Sequence, residues 1–392
     1  MSAGRKVPAS GRKVRIAVIG NLPTHYRRPL WEALAEVFDA DFFFTSHGTE
    51  RYWSKDHQFE FGRFRVLPAQ PPWRFVRTLM RGQYDCILFG LAGRLAPLEV
   101  WFAAKVSRTP VILWTGIWQH PRTPFHRLSR PAVRYLYRSA DALLVYGPHI
   151  AAHVEAESGR REGVYSAPNA IDNTAFRRFV RPGKISQLRQ ELMLPTGNIA
   201  IFVGRLEQEK GLELLFRALP GTKSLAGLMI VGSGSLEDEL KRLAVRLGIA
   251  DRVRFAGYVQ NKDLAAYLDV SDFLVLPSIT TPRFKEPWGL VANEAMNRGR
   301  PVVASAAVGA VAGGLIVDRV TGLVFPERDG AALATAMDEL GRDHMLRANL
   351  GAEAKRHVLG WSIEKAVATV EKVVGTVLDA RKKANDTAFD HP

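Results

Sequence analysis

Short β-rich apolar runs alternate with helical patterns along nearly all 392 residues, and this alternation restricts the fold more than any other feature of the chain. Strands that are almost continuously apolar are buried on both faces. They require a parallel sheet with helices on each side, built from βαβ units. In the first half the spacing predicts strands over 14–20, 41–45, 84–90, 110–115, 142–146 and 163–166, and helices over 27–38, 95–107, 125–139 and 149–158. Residues 168–184 interrupt the pattern with two prolines, a glycine and the basic cluster Arg177, Arg178 and Arg181, as an interdomain connection does.

The pattern then restarts, with strands over 198–203, 228–232, 252–256, 273–277, 301–305 and 322–325 and helices over 210–219, 236–247, 261–268, 290–298 and 331–340. Helices over 343–357 and 362–381 follow, and the polar tail from Lys382 is expected to fray. The expected fold class is α/β: two Rossmann-like, doubly wound parallel-sheet domains facing each other across a cleft. The first spans 1–183 and the second 184–360, while 361–392 form a last helix and tail. No internal sequence repeat relates the halves. Open parallel sheets bind ligands beyond the carboxyl ends of their strands, so chemistry is expected in the cleft.

Hydrophobic residues make up 47% and charged residues 24% of the chain, which excludes a disordered, collagen-like or small disulfide-stapled protein. The lone cysteine, Cys86, sits in an apolar run and reads as a core residue in a reducing compartment. No secretory leader is visible. The nearest approach to a membrane span, 302–317, is 16 uncharged residues interrupted by glycines, short of the ~18 apolar residues such a helix needs. The net charge of +15 is one-sided: residues 1–183 carry 27 basic and 14 acidic side chains, against 27 and 25 in 184–392. The densest part, 51–138, interleaves Trp53, Trp73, Trp101, Trp118 and Phe125 with 15 basic and 4 acidic residues. A field of this kind attracts nucleic acid, an anionic lipid surface or a phosphate-bearing substrate. Solvated arginines over a core of aromatics are the plainer account.

Three loops at predicted strand ends carry candidate chemistry. Gly204-Arg205-Leu206-Glu207-Gln208-Glu209-Lys210-Gly211 follows the first strand of the second unit. Gly204 lets backbone come close, the helix start offers N–H groups, and Arg205 and Lys210 add cations, which together make a diphosphate clamp. An ordinary strand–turn–helix with solvated charges is the alternative. Gly232-Ser233-Gly234 lacks the Lys-Ser/Thr of a P-loop and reads better as a tight packing turn. Glu286-Pro287-Trp288-Gly289-Leu290-Val291-Ala292-Asn293-Glu294 runs from a loop into a helix. Each carboxylate can accept from vicinal hydroxyls, and the amides of Trp288, Gly289 and Leu290 can meet an anion. That set suits a sugar joined to a phosphate; an exposed helix with two solvated glutamates is the alternative. Asp39 and Asp41 have metal-ligand spacing but read as a turn, and His149 and His153 read as helix surface, so no metal site is expected.

In order and at matching spacing, Gly204-Arg205-Leu206-x3-Lys210-Gly211, Val231-Gly232-x-Gly234, Phe255-x-Gly257, Leu276-Pro277-Ser278, Glu286-x7-Glu294 and Thr321-Gly322-Leu323-Val324 resemble the retaining nucleotide-sugar glycosyltransferases of family 4, which have the GT-B fold. The resemblance covers about 164–325. It is looser earlier, where Tyr26-Arg27-Arg28-Pro29-Leu30, and Pro168-Asn169-Ala170-Ile171-Asp172 after it, are similar to members that build bacterial surface polysaccharides. It implies that Arg205 and Lys210 hold the donor diphosphate, Glu294 the ribose hydroxyls and Glu286 the transferred sugar, with Gly204, Gly232, Trp288, Gly289 and Leu290 lining the donor. It implies that Gly20, Asn21 and Leu22 approach the phosphate or the acceptor. Thr115 stands where many relatives have a histidine, His120 follows nearby, and both are assigned to the acceptor side. Ala312-Gly313-Gly314 replaces a stretch that often holds an acidic residue.

The implied enzyme moves a hexose from a nucleotide diphosphate sugar to an acceptor with retention. The nucleotide sugar is a co-substrate, and no further cofactor or metal is expected. The basic first domain points to an anionic or membrane-held acceptor, such as a polyprenyl diphosphate-linked saccharide, and to a cytoplasmic protein peripheral to the inner face of the plasma membrane. Lys210→Ala is expected to cut turnover far more than stability. The rivals are a non-catalytic scaffold with this fold, motivated by Thr115, and a nucleic-acid-binding protein, motivated by the charge but lacking any recognised module.

Overall fold

The computed structural model describes residues 12–21, 24–44, 65–67, 71–91 and 96–389. Two all-parallel sheets organise it. The first contains β1 (Arg15–Gly20), β2 (Asp39–Phe44), β3 (Arg65–Leu67), β4 (Cys86–Gly90), β5 (Val111–Thr115), β6 (Ala142–Val145) and β7 (Val164–Ser166), in the order β3-β2-β1-β4-β5-β6-β7. The second contains β8 (Ile199–Val203), β9 (Gly227–Val231), β10 (Val253–Gly257), β11 (Phe273–Leu276), β12 (Val302–Ser305) and β13 (Gly322–Phe325), in the order β10-β9-β8-β11-β12-β13. Both orders reverse direction once, at β1/β4 and at β8/β11. Two sequences with no visible repeat thus share one winding, as right-handed crossovers between parallel strands favour.

Helices cover both faces of each sheet. In the first domain α1 (Arg28–Val37) packs on one face, and α2 (Pro72–Arg81), α3 (Ala96–Val106), α4 (Pro124–Ser139) and α5 (Pro148–Ser158) pack on the other. The connection carries α6 (Asn173–Phe176) and α7 (Pro182–Glu191). The second domain is wrapped by α8 (Leu212–Ala218), α9 (Glu237–Arg246), α10 (Leu264–Val270), α11 (Val291–Asn297), α12 (Gly309–Ala312), α13 (Gly330–Arg342) and α14 (His344–His357). Finally α15 (Ile363–Phe389) returns to the first domain.

The predicted strands all form, with ends shifted by a residue or two. The spacing did not reveal β3, α2, α6, α7 or α12, and the tail expected to fray from Lys382 continues α15 to Phe389. Both α2 and α7 open on proline, which reads as a turn in isolation yet is favoured at the first helical position, where the missing N–H costs nothing. The domain boundary also falls earlier than 183. Ala167 and Ala170 pack in the first core, whereas Ile171 and Phe176 pack in the second. The basic cluster at Arg177 and Arg178 therefore belongs to the second domain. Arg177 donates to Asn297 Oδ1 of α11 at 2.7 Å. Cys86 is a buried free thiol, as its run implies, and burial pushes its pKa up.

The last helix is structural to the first domain. Val367, Val370, Val373, Val374 and Val377 recur at three- and four-residue spacing and are buried with Ile16, Val18 and Phe42 of the first sheet. Val370→Asp would bury a carboxylate with no partner. It should lower the stability of the full chain by on the order of 3 kcal/mol in urea denaturation; a change under about 0.5 kcal/mol, the range of exposed sites, would show that α15 is not part of this core.

Candidate active site at the second switch point

The loops after β8 and β11 leave neighbouring strands at the reversal of strand order, where open sheets form a crevice. Here they are pressed together. Gly211 has φ +68°, and a Cβ on it would lie 1.9 Å from the Pro277 carbonyl oxygen; only glycine tolerates both. The Ile279 N–H donates to the Glu209 carbonyl at 2.9 Å. Across this contact the Lys210 ammonium pairs with the Glu286 carboxylate. The Ser278 hydroxyl reaches the same Glu286 oxygen at 3.5 Å. Arg205 donates to Glu209 Oε1 at 2.8 Å. Each cation of the expected clamp is therefore held by a carboxylate of the same loop pair.

The pair alters the expectation for Lys210. Glu286 is buried, and removing one partner of a buried ion pair leaves the other charge uncompensated. Lys210 thus carries stability as well as any chemistry.

Glu207, which sequence reasoning passed over, is a buried strap. Its carboxylate accepts from the Ser235 N–H and hydroxyl, each at 2.8 Å. It ties the Lys210 loop to the turn after β9. In that turn Gly232 has φ +130°, and a Cβ would lie 1.9 Å from the Gly204 carbonyl oxygen. The amides of Gly204 and Gly232 donate to Val231 at 3.0 Å and Gly257 at 2.7 Å. These glycines allow strand ends to crowd together; their N–H groups are already engaged. The tight-turn reading of Gly232 holds.

The Trp288 side chain is part of the second core. Its indole is fully buried, and Nε1–H donates to Asn293 Oδ1 at 2.9 Å. Asn293 Nδ2 in turn donates to the Asn169 carbonyl at 3.2 Å. The Trp288 side chain therefore anchors its loop to α11 and, through Asn293, to the interdomain connection. The amides of Gly289 and Leu290 precede the first turn of α11 and, among the described residues, donate to no backbone carbonyl. Glu294, in that turn, is buried and accepts from Asn261 Nδ2 at 3.2 Å. Burial pushes its pKa up to about 7, and the Asn261 hydrogen bond opposes the rise. Among the described residues it pairs with neither a lysine nor an arginine.

On the first domain, Gly20 ends β1 and Asn21 is exposed; Leu22 lies outside the described residues. Thr115 is buried at the end of β5 and accepts from the Ile117 N–H at 3.2 Å. His120 turns toward α4, where Nε2 lies 2.7 Å from the His126 carbonyl. The first-domain groups that reach the Glu286 segment are others. Trp118 Nε1–H donates to the Glu286 carbonyl at 3.0 Å, Gln119 to the Thr281 carbonyl at 2.8 Å, and the Arg122 N–H to the Pro282 carbonyl at 2.6 Å. His149 lies in the same interface, so neither it nor the half-buried His153 is simple helix surface. Asp39 and Asp41 lie in β2 and not in a turn, facing Arg15 at 3.4 and 3.2 Å. No cluster able to hold a metal occurs among the described residues.

The elevated Glu294 pKa has a signed consequence. A carboxyl that binds its proton more tightly folded than unfolded makes stability fall as pH rises from about 4.3, the unfolded value, through about 7. Glu294→Gln should therefore raise the melting temperature at pH 8 and leave it nearly unchanged at pH 4.5. The full linkage is up to about 4 kcal/mol, at 1.36 kcal/mol per unit. Equal effects at both pH values in thermal scans would refute the elevation.

Residues 184–357 match the family model of Glycosyl transferases group 1. A D-inositol 3-phosphate glycosyltransferase of Streptomyces avermitilis is 32% identical over 247 residues, covering 59% of this chain and 50% of the relative. The chain spans about half the length of the curated relatives it matches. Among solved structures, Anabaena Alr3699/HepE in complex with UDP and glucose superposes with a TM-score of 0.76 at 21% identity, covering 93% of this chain and 100% of that one. The lipopolysaccharide outer core galactosyltransferase WaaB superposes with a TM-score of 0.68 at 14% identity, covering 93% and 99%. The chain has the GT-B fold of these glycosyltransferases, and the similarity to glycosyl transferases group 1 lies in its residues 184–357.

Proposed function

We propose that the protein is a retaining glycosyltransferase that moves a hexose from a nucleotide diphosphate sugar to an acceptor. The observation that carries this reading is the meeting of Lys210 and Glu286 at the β8/β11 crevice, with Glu294 in the adjoining helix. In the reaction the anomeric carbon–oxygen bond to the diphosphate breaks. The acceptor hydroxyl oxygen bonds to the same carbon and gives up its proton. Charge builds on the leaving diphosphate, where Lys210, Arg205 and the amides of Gly289 and Leu290 would stabilise it; one fixed donor of this kind contributes about 2.7–4 kcal/mol. Before the donor arrives, Glu286 and Glu209 keep the two cations oriented. Glu286 would then turn to the sugar and Glu294 to the ribose hydroxyls. The UDP and glucose bound by HepE support a nucleoside diphosphate hexose as donor, and the resemblance of the Glu286-x7-Glu294 segment to the retaining family supports retention.

The acceptor we propose is a lipid-linked saccharide, reached from a cytoplasmic membrane face. The support is a surface on the first domain. On α3, Leu98, Phe102 and Val106 recur at every fourth position on the exposed side, while Val100, Ala103 and Ala104 face the core. On α4, Phe125, Leu128 and Tyr135, three and seven residues apart, are likewise exposed, and Trp73 adds to them from α2. Trp73 is 61%, Phe102 60% and Leu128 84% exposed. Arg74, Arg77, Arg81, Lys105 and Arg127 lie among them on these helices. Exposed aromatics interspersed with cations suit the headgroup level of an anionic leaflet.

Hydrolysis of UDP-glucose, followed by UDP release, should proceed unchanged in EDTA; strict Mg²⁺ dependence would overturn the metal-free assignment. Lys210→Ala should lower that turnover by on the order of a hundredfold and stability by on the order of 3 kcal/mol. In flotation, the protein should bind vesicles containing phosphatidylglycerol in preference to neutral ones, and the combined Leu98→Ser, Phe102→Ser and Leu128→Ser variant should not. Equal binding to both vesicles counts against the membrane assignment.

A further inference from the structure

The first domain contributes more to the Glu286 segment than a packing surface. Its contacts end on consecutive residues of one stretch. The Lys285 ammonium sits 3.7 Å above the Trp118 ring. The Glu286 carbonyl accepts from Trp118 Nε1–H, and the Pro287 carbonyl lies 3.4 Å from His149 Nε2. The His149 ring stands edge-on to Trp118 at 4.8 Å and near-parallel to the buried Trp288 at 6.1 Å. Gln119 holds the Thr281 carbonyl at the other end of the stretch.

The Glu286 carbonyl has a second donor, the Gly309 N–H of the second domain, also at 3.0 Å. One carbonyl is thus fixed by both domains at once. Its orientation sets the direction in which the Glu286 side chain leaves the backbone. The carboxylate at the far end is the one paired with Lys210.

We infer that Trp118, seconded by Gln119, His149 and Lys285, is a positioning residue that lets the first domain set the orientation of Glu286, so that the sugar-holding carboxylate is in register only when the two domains are docked. This deepens the proposed transferase reading and rests on it. Asn261, which donates to Glu294, and Glu209, which accepts from Arg205, both belong to the second domain. Recognition of the nucleotide should therefore survive loss of the clasp, while turnover should not.

Trp118→Phe tests this most cleanly, because it keeps a ring for Lys285 and His149 and deletes the N–H. The expected result is a fall in kcat for UDP-glucose hydrolysis by about tenfold, the scale of a small misplacement of a reacting group. The dissociation constant for UDP, by calorimetry, should stay within about twofold, since uniform binding is untouched. Gln119→Ala should act in the same direction, and the melting temperature of both variants should match the parent. Amide hydrogen exchange across 281–288 should speed up in Trp118→Ala and in Gln119→Ala. An unchanged kcat in both Trp118→Phe and Gln119→Ala overturns the inference, as does a parallel loss of UDP affinity. Should the parent protein neither bind UDP nor hydrolyse UDP-glucose, the transferase reading fails by itself. The exchange experiment still judges the clasp: unaltered exchange across 281–288 overturns it.

Discussion

Parallel pairing governs the site. When every strand of a sheet runs the same way, every strand-to-helix loop leaves on one edge, and the loops part where strand order reverses. In the second domain that parting lies between β8 and β11. The close approach of Gly211 to the Pro277 carbonyl narrows it to backbone contact. A side chain at 211 would force the loops apart and separate Lys210 from Glu286. The ion pair is thus a consequence of a glycine, a strand order and a direction of pairing.

Four carboxylates in or beside this crevice are treated in three ways. Glu207 accepts from the amide and hydroxyl of Ser235 and serves as a strap. Glu209 holds Arg205, and Glu286 holds Lys210. Glu294 accepts from the Asn261 amide, and its burial raises its affinity for a proton. Buried charge must be paired, hydrogen-bonded or relinquished, and all of these solutions occur here within a short span of backbone. The contrast separates residues that keep the loops together from one whose environment is tuned by what it lacks.

The two domains are joined by more than the connection at 170–171. The valine face of α15 completes the core of the first domain, although the chain reaches it only after the second domain is built. On the cleft side, Trp118, Gln119 and His149 reach back to the loop that carries Glu286. The first domain therefore presents three surfaces of different character: a core-completing face for α15, a polar and aromatic grip on the Glu286 loop, and an outward layer of α2, α3 and α4 where arginines and exposed apolar side chains alternate.

The second-domain site was largely legible because its residues lie in short loops, where spacing along the chain is spacing in space. Gly204 to Gly211 and Glu286 to Glu294 are local patterns of that kind. Glu207, Asn293 and Trp118 were not legible, since their meaning depends on partners that no local pattern identifies; Trp118 and Glu286 are 168 residues apart. The same limit hid α2 and α7, whose opening prolines look like breaks until a core lies beneath them. Hydrophobic periodicity by itself determined the α/β class, the two parallel sheets and the edge on which chemistry would gather, because burial on two faces leaves a strand few alternatives. Which cation faces which carboxylate, which histidine enters the domain interface and where the chain crosses between cores were decided only by tertiary packing, since each depends on the meeting of segments remote in sequence.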